Sequence, residues 1–493
     1  MLCRLSVEHR ERDSVTATQS SARPGPAPEA SAPAPDRLGF VVFITAAAAL
    51  GGFLFGYDSS VINGAVSGIQ DRFGVGDGVT GLIVSSALLG SAVGAALAGR
   101  FADRYGRIRV MKAGAVLFGI SAVGSMMPFA AWDLALWRVL GGAAIGIASV
   151  IAPTYIAEVA PTRYRGRLAS FQQAAIVLGI AISQLVNWVL TESAGGDTRG
   201  QLLGLEAWQW MLGVCAVPAV VYFVLSSMIP ESPRFLISAG RLDEAREVLK
   251  EVEGPASDTD ARIAEIQGLI ASDHRPRFKD LLGGRFGLLP IVWTGIGLSV
   301  FQQLVGINVI FYYSSILWQS VGIDQSNSLL ISFSSSIINI VGTVIAILLV
   351  DRIGRKPLAL VGSAGMAISL GACAWAFSSA TGSGDDVALP DLQGTVALVA
   401  ANAFVLFFAM SWGVVVWVML GEMFPNRIRA AALSVAASAQ WIANWAITVS
   451  FPSMAGWNLS ATYLAYALFA AGSVFFVARF MKETKGVRLE DMG

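Results

Sequence analysis

Between Leu50 and Gly64 the chain reads LGGFLFGYDSSVING, an apolar, glycine-studded run with one carboxylate, Asp58, inside it. A carboxylate in hydrocarbon must be paired, hydrated or protonated, and is by default a candidate functional group. Arg138, in the run WRVLGG, is a second charge within an apolar stretch. Burial favours the protonated acid and a neighbouring guanidinium favours the ionised one. A carboxylate balanced between the two can gain or lose a proton as its partner moves. A static ion pair that only fixes one helix against another is the alternative.

A second chemistry is hydrogen bonding by side-chain amides, each of which donates and accepts from one planar group. Amides are rare in apolar spans, yet Gln172, Gln173, Gln302, Gln303, Asn308, Asn339, Gln440 and Asn444 all fall in them, with Trp417 and Trp441 nearby. Such a set suits a neutral ligand with many hydroxyls and a C–H face for an aromatic ring, which describes a sugar. Hydrogen bonding between helices is the alternative use of the same groups. In a straight helix residues 303 and 308 would point about 140° apart. Gly306, between them, predicts a bend that lets them converge.

The elements that must hold these groups follow from composition. The 493 residues are 55% hydrophobic and 14% charged, against roughly 25% charged in soluble domains. Apolar stretches of about 20 residues, enough to cross a bilayer as a helix, recur at 39–65, 79–101, 110–131, 133–155, 167–190 and 208–229. A second set follows at 288–316, 328–350, 357–379, 394–420, 430–453 and 460–481. The expected fold is an all-α polytopic membrane protein of twelve transmembrane helices in two six-helix halves. Residues 1–37 read as a disordered tail, 38–229 as the first half, 230–285 as a cytoplasmic linker of short surface helices, 286–482 as the second half and 483–493 as a tail.

Basic residues set the expected orientation. Arg104, Arg107, Arg109, Lys112, Arg163, Arg165, Arg167, Arg352, Arg355, Lys356, Arg427 and Arg429 fall in loops on one side, whereas the opposite loops hold almost none. Both termini and the linker are therefore expected in the cytoplasm of a multi-pass plasma-membrane protein. Asp58 then lies about 19 residues into a helix entering from inside, and Arg138 about five residues into one entering from outside. The two charges share one depth, which predicts a pair.

The halves repeat each other. DRYGR at 103–107 returns as DRIGR at 351–355; Glu158, Pro161 and Arg165 return as Glu422, Pro425 and Arg429; and Pro230-Glu231-Ser232 is echoed by Lys482-Glu483-Thr484. Parallel six-helix repeats with a site between them are a transporter architecture.

These motifs, together with GGFLFGYD, PESPRFL, QQLVGIN, VDRIGRKP and EMFPNRIR, resemble the sugar porter family of the major facilitator superfamily from about Phe40 to Gly486. Within it the chain is most similar to bacterial proton-coupled sugar symporters, particularly actinobacterial glucose permeases. The resemblance implies a major facilitator fold and proton coupling by Asp58 and Arg138. It implies sugar contacts from Gln173, Gln302, Gln303, Asn308, Asn339, Trp417 and Gln440, with Phe55, Ile180, Gly413 and Trp441 lining the site. Asp58 stands where mammalian facilitators carry an uncharged residue, which favours symport over uniport. Ile180 matches glucose facilitators, not xylose symporters, and leans toward a hexose. Val414 replaces a usual proline and could alter the bend of helix 10, and Lys482 replaces another.

Asp103, Arg104, Glu158, Arg165, Asp351, Arg352, Glu422 and Arg429 lie at equivalent helix ends. Ion pairs there could hold the halves together inside while the outside is open. The alternative is that they act as topology signals, the reading adopted for Arg109 and Lys112.

The expected function is proton-coupled import of a monosaccharide, glucose ahead of xylose and galactose, by a monomer working through alternating access. A facilitator of the same fold and a non-transporting sugar sensor are the rivals. Other functions lack support. Lys+Arg and Asp+Glu balance at 34 each, which gives no basis for nucleic-acid binding. Cys3, Cys215 and Cys373 show no metal or disulfide spacing, and His9 and His274 fall outside the spans, so no metal or cofactor is expected. There is no GxxxxGK[ST] loop for ATP, and no nucleophile–base pair for an enzyme.

Overall fold

A computed structural model describes residues 35–160, 165–254, 258–272, 278–283, 287–380, 389–425 and 428–484. The first half comprises α1 (Pro35–Phe73), α2 (Asp77–Tyr105), α3 (Arg107–Met126), α4 (Ala131–Val159) and α5 (Arg165–Ser193), then a sixth span in two pieces, α6 (Ala207–Val214) and α7 (Ala216–Met228). Pro218, without an N–H for the carbonyl four residues back, accounts for the interruption. Between α5 and α6 lies a hairpin that the all-helical reading did not anticipate. Strand β1 (Gln201–Leu202) pairs antiparallel with β2 (Leu205–Glu206). Its turn residues Leu203 and Gly204 both have positive φ, as a tight two-residue hairpin requires.

Short helices α8 (Pro233–Ser238), α9 (Leu242–Glu253) and α10 (Thr259–Ser272) separate the halves. The second half begins with α11 (Pro290–Leu304) and α12 (Ile307–Gln319), one span broken at Gly306, whose φ of +83° is the bend expected from VGIN. Then come α13 (Gln325–Ile353), α14 (Arg355–Phe377), and a tenth span in two pieces, α15 (Asp391–Ala409) and α16 (Trp412–Met423). The break of that span falls at Ser411, ahead of Val414, so the span bends without the family's usual proline. The last element, α17 (Arg429–Phe480), has 52 residues, about 78 Å of helix. It changes direction at Asn458, where the backbone is extended, and therefore supplies two crossings of a bilayer about 30 Å thick. Ten other spans plus these two make twelve.

Glycine sets the closest packing. Along α2 and α4, Gly90 and Gly142 bring the backbones so near that a Cβ at either would collide with the carbonyl of Val139 or Ala87. Small residues permit this approach in hydrocarbon, where dispersion rather than water exclusion holds helices together. It locks α4, and with it Arg138, in place within the first half.

Candidate functional site

Asp58 on α1 and Arg138 on α4 meet. Nη1 of Arg138 donates to Oδ1 of Asp58 at 2.7 Å, and the two side chains are 5% and 9% exposed respectively. The contact is end-on rather than bidentate, and Nε of Arg138 is buried with no partner among the described residues. A narrow cavity beside the pair, large enough for about one water, is lined by Phe55, Ser59, Leu88, Ser91 and Tyr312. The depth argument from sequence thus located a real pair.

The amides cluster around the break in the seventh span. With Gly306 left-handed, Nδ2 of Asn308 reaches Oε1 of Gln303 at 2.5 Å and Oδ1 of Asn444 on α17 at 2.8 Å. Gln303 donates to Oε1 of Gln302 at 3.4 Å, and Gln302 to the carbonyl of Trp412 at 3.0 Å. Trp412 is buried and tied by its indole N–H to Ser363. Gln302 is therefore partly spent on holding helices together, while Gln303, Asn308 and Asn444 form a connected polar surface. Oε1 of Gln440 and Oε1 of Gln172 are buried without a partner among the described residues. Buried acceptors are normally satisfied, so these two mark where a ligand's hydroxyls could fit. Gln172 also packs directly against Gly52 of α1, a contact that serves helix packing.

Phe55 of the first half and Trp441 of the second face each other edge-on, ring centroids 6.1 Å apart, where the halves meet. Gln173 and Ile180 on α5, Asn339 on α13, and Gly413 and Trp417 on α16 make no side-chain hydrogen bond to the amide cluster among the described residues. Asn339 is buried, whereas Trp417 is 48% exposed.

A family model for "Sugar (and other) transporter" matches residues 44–493. The chain belongs to the sugar transporter family. It is 54% identical over 455 residues to a glucose transport protein of Synechocystis sp., covering 92% of this chain and 97% of that one. It is 36% identical over 489 residues to the D-xylose-proton symporter of Escherichia coli K12, covering 92% and 95%. Among solved structures it is similar to the inward open conformation of the xylose transporter XylE from E. coli, with a TM-score of 0.78, 34% identity, and coverage of 92% and 99%. A second XylE structure, bound to 6-bromo-6-deoxy-D-glucose, matches with a TM-score of 0.75 at 34% identity, covering 92% and 99%.

At its basic end the transporter carries two matching charge networks. Arg107 holds both oxygens of Glu158 at 2.9 and 3.0 Å, and Ser232 donates to the same carboxylate at 2.5 Å. Glu231 accepts from the backbone N–H of Arg107 at 2.9 Å, capping α3. In the second half Arg355 donates to Glu422 at 2.8 Å, Thr484 donates to Glu422 at 2.6 Å, and Glu483 accepts from the N–H of Arg355 at 3.0 Å. Asp103 and Asp351 add contacts to Arg107 and Arg355 at 3.3 and 3.0 Å. Among the described residues the ion pairs of these networks lie within one half or the other, in a conformation where pairs between the halves are not expected. The arginines of these pairs are Arg107 and Arg355, the last residue of each DRxGR motif. Arg104 lies over the ring of Tyr105, and Arg429 donates to the carbonyl of Phe424. The side chain of Arg165 lies outside the described residues, as do residues 1–34 of the expected tail.

Contacts between the halves gather at the opposite end. Asn63 of α1 accepts from the N–H of Ser315 at 2.9 Å and donates to Ser314 at 3.2 Å. Gln184 of α5 donates to the carbonyl of Phe311 at 3.3 Å, and Gln325 of α13 to Thr198 at 2.9 Å. Sequence reasoning missed Asn63 and Gln184. The signal was there, since both are amides in apolar spans.

Proposed function

We propose that this sugar transporter is a proton-coupled symporter that imports a monosaccharide, glucose ahead of xylose and galactose, across the plasma membrane with both termini cytoplasmic. The carrying observation is the buried, single-contact Asp58–Arg138 pair set beside an amide cluster suited to hydroxyls. The similar D-xylose-proton symporter and glucose transport protein support the same reading, as does an arabinose-proton symporter of Bacillus subtilis, 34% identical over 456 residues. We read the chain as a carrier and not an enzyme, working as a monomer and without a cofactor.

Protonation of Asp58 removes the charge that holds Arg138, and frees α1 and α4 to shift relative to each other. Sugar binds the amides of α11, α12 and α17, with Gln173 and Asn339 contributing from α5 and α13 and the Phe55–Trp441 pair covering its apolar face. The halves then exchange their closed ends, and Glu158, Arg165, Glu422 and Arg429, at equivalent helix ends, bias which end is closed. The basic end faces the cytoplasm, so the conformation described, with its halves joined at the other end, is closed to the outside. The test uses purified protein in liposomes at zero membrane potential with a pH electrode outside. Adding glucose, xylose and galactose in turn should evoke alkalinisation in the order of preference. Sugar uptake without any pH change would leave a facilitator.

A further inference from the structure

At the end remote from the basic networks, the loop between α5 and α6 reaches across to the second half. It is tied down by its own hydrogen bonds. The N–H of Gly200 donates to the carbonyl of Asp197 at 2.9 Å, the N–H of Trp208 to the carbonyl of Thr198 at 3.0 Å, and the indole of Trp210 to the carbonyl of Leu202 at 2.6 Å. Thr198, held among these turns, is 1% exposed. On the facing side Gln325 is the first residue of α13, set by the cap of Asp324, which accepts from the N–H of Asn327 at 3.0 Å. The Gln325 amide meets Thr198 twice: Oε1 accepts from the backbone N–H at 2.8 Å, and Nε2 donates to the hydroxyl at 2.9 Å. These bonds join the halves between residues 127 positions apart. Ser326 adds a third, donating to the carboxylate of Glu192 in the last turn of α5. An amide that spends its acceptor and its donor on one residue fixes orientation as well as distance.

We propose that Gln325 is a positioning residue of the transport cycle, whose two-point contact with Thr198 clasps this end of the molecule shut. The contacts of Asn63, Gln184 and Ser315 close the same end from within the spans, whereas the clasp is built at their ends, from the α5–α6 loop and the first turn of α13. Both bonds of Gln325 must break before the loop can leave α13. Water replaces them once the end is open, so each shifts the opening equilibrium by about two- to tenfold. Neither Thr198–Gln325 nor Glu192–Ser326 includes a member of the amide cluster or of the Asp58–Arg138 pair. The clasp therefore acts on the opening step, with or without proton coupling.

The test uses a reporter thiol, Ser314→Cys on α12, at a side chain that is 2% exposed and accepts from Asn63 of the other half. The purified protein is treated with a water-soluble maleimide, and labelling at residue 314 is followed by peptide mass spectrometry, which separates it from Cys3, Cys215 and Cys373. Adding Gln325→Ala to the reporter should speed labelling at least roughly fivefold. Thr198→Val, which keeps the N–H and loses the hydroxyl, should speed it at least roughly twofold. Asn327→Ala removes a different bond from the same turn of α13, its amide to Asp324 at 2.6 Å, and should label at the reporter's own rate. An unchanged rate in Gln325→Ala or Thr198→Val overturns the proposal. So does an equal acceleration in Asn327→Ala, which would reduce the effect to a loosened helix start. If Gln325→Ala fails to fold, Thr198→Val against Asn327→Ala decides alone.

Discussion

Arg138 holds Asp58 by a single nitrogen, Nη1 at 2.7 Å from Oδ1, while its equally buried Nε meets no acceptor among the described residues. A bidentate grip would fix the carboxylate in place. One contact next to a water-sized cavity leaves it free to take up a proton and let go. Removing one partner of a buried pair leaves an uncompensated charge, which costs up to about 3–5 kcal/mol. Arg138→Ala should therefore lower the unfolding midpoint in detergent by several degrees. The double variant Asp58→Asn/Arg138→Ala should recover most of that loss without recovering proton coupling. A single variant as stable as wild type would show that the pair is not buried as described.

The sugar site makes a separate prediction. Asn308 donates to both Gln303 and Asn444, so Asn308→Ala breaks the cluster at its centre. Losing one or two ligand hydrogen bonds worth about 0.5–1.5 kcal/mol each should weaken glucose binding roughly tenfold. The effect should be equal at acidic and alkaline pH. Binding titrations on purified protein check it, and unchanged affinity would move the sugar away from the cluster.

Gly306 gives a backbone test. Its φ of +83° is strained for any side chain, and an added Cβ would press on the ring of Tyr466 at 2.8 Å. Gly306→Ala should cost about 1–3 kcal/mol and pull Asn308 away from Gln303. Sugar affinity and thermal stability should fall together. A stable variant with normal affinity would mean that the break is not needed to assemble the cluster.

How much of this was legible beforehand depended on the range of the interaction. Span count, the depth match of Asp58 with Arg138, and the bend at Gly306 all follow from rise per residue and local φ preference. The partner of Glu158 did not. Arg104 and Arg107 are three residues apart in one basic motif, and only the turn at Gly106, with φ of +93°, decides which one swings back to Glu158. Asn63 stands out as an amide in an apolar span, but its partner does not: Ser315 lies 252 residues away, and nothing local names it. The hairpin at 201–206 was too short to show any alternation.

The paired networks at the basic end predict a kinetic phenotype. Each sits within one half, so it stiffens the helix ends that must move as a unit. Glu158→Gln loosens the grip of Arg107 and the contact from Ser232, far from the amides. Initial sugar uptake into liposomes should fall at least roughly fivefold, equivalent to about 1 kcal/mol. Equilibrium glucose binding should stay within about twofold. Loss of binding at an unchanged rate would contradict a conformational role.

The most direct test of the central claim is accumulation against a gradient. Purified protein in liposomes made alkaline inside is given labelled glucose at equal concentration on both sides, and internal glucose is followed over time. Wild type should concentrate glucose inside until the pH gradient collapses. Asp58→Asn should exchange glucose across the membrane and never accumulate it. Wild type that only equilibrates, or Asp58→Asn that accumulates as well as wild type, would contradict proton coupling through Asp58.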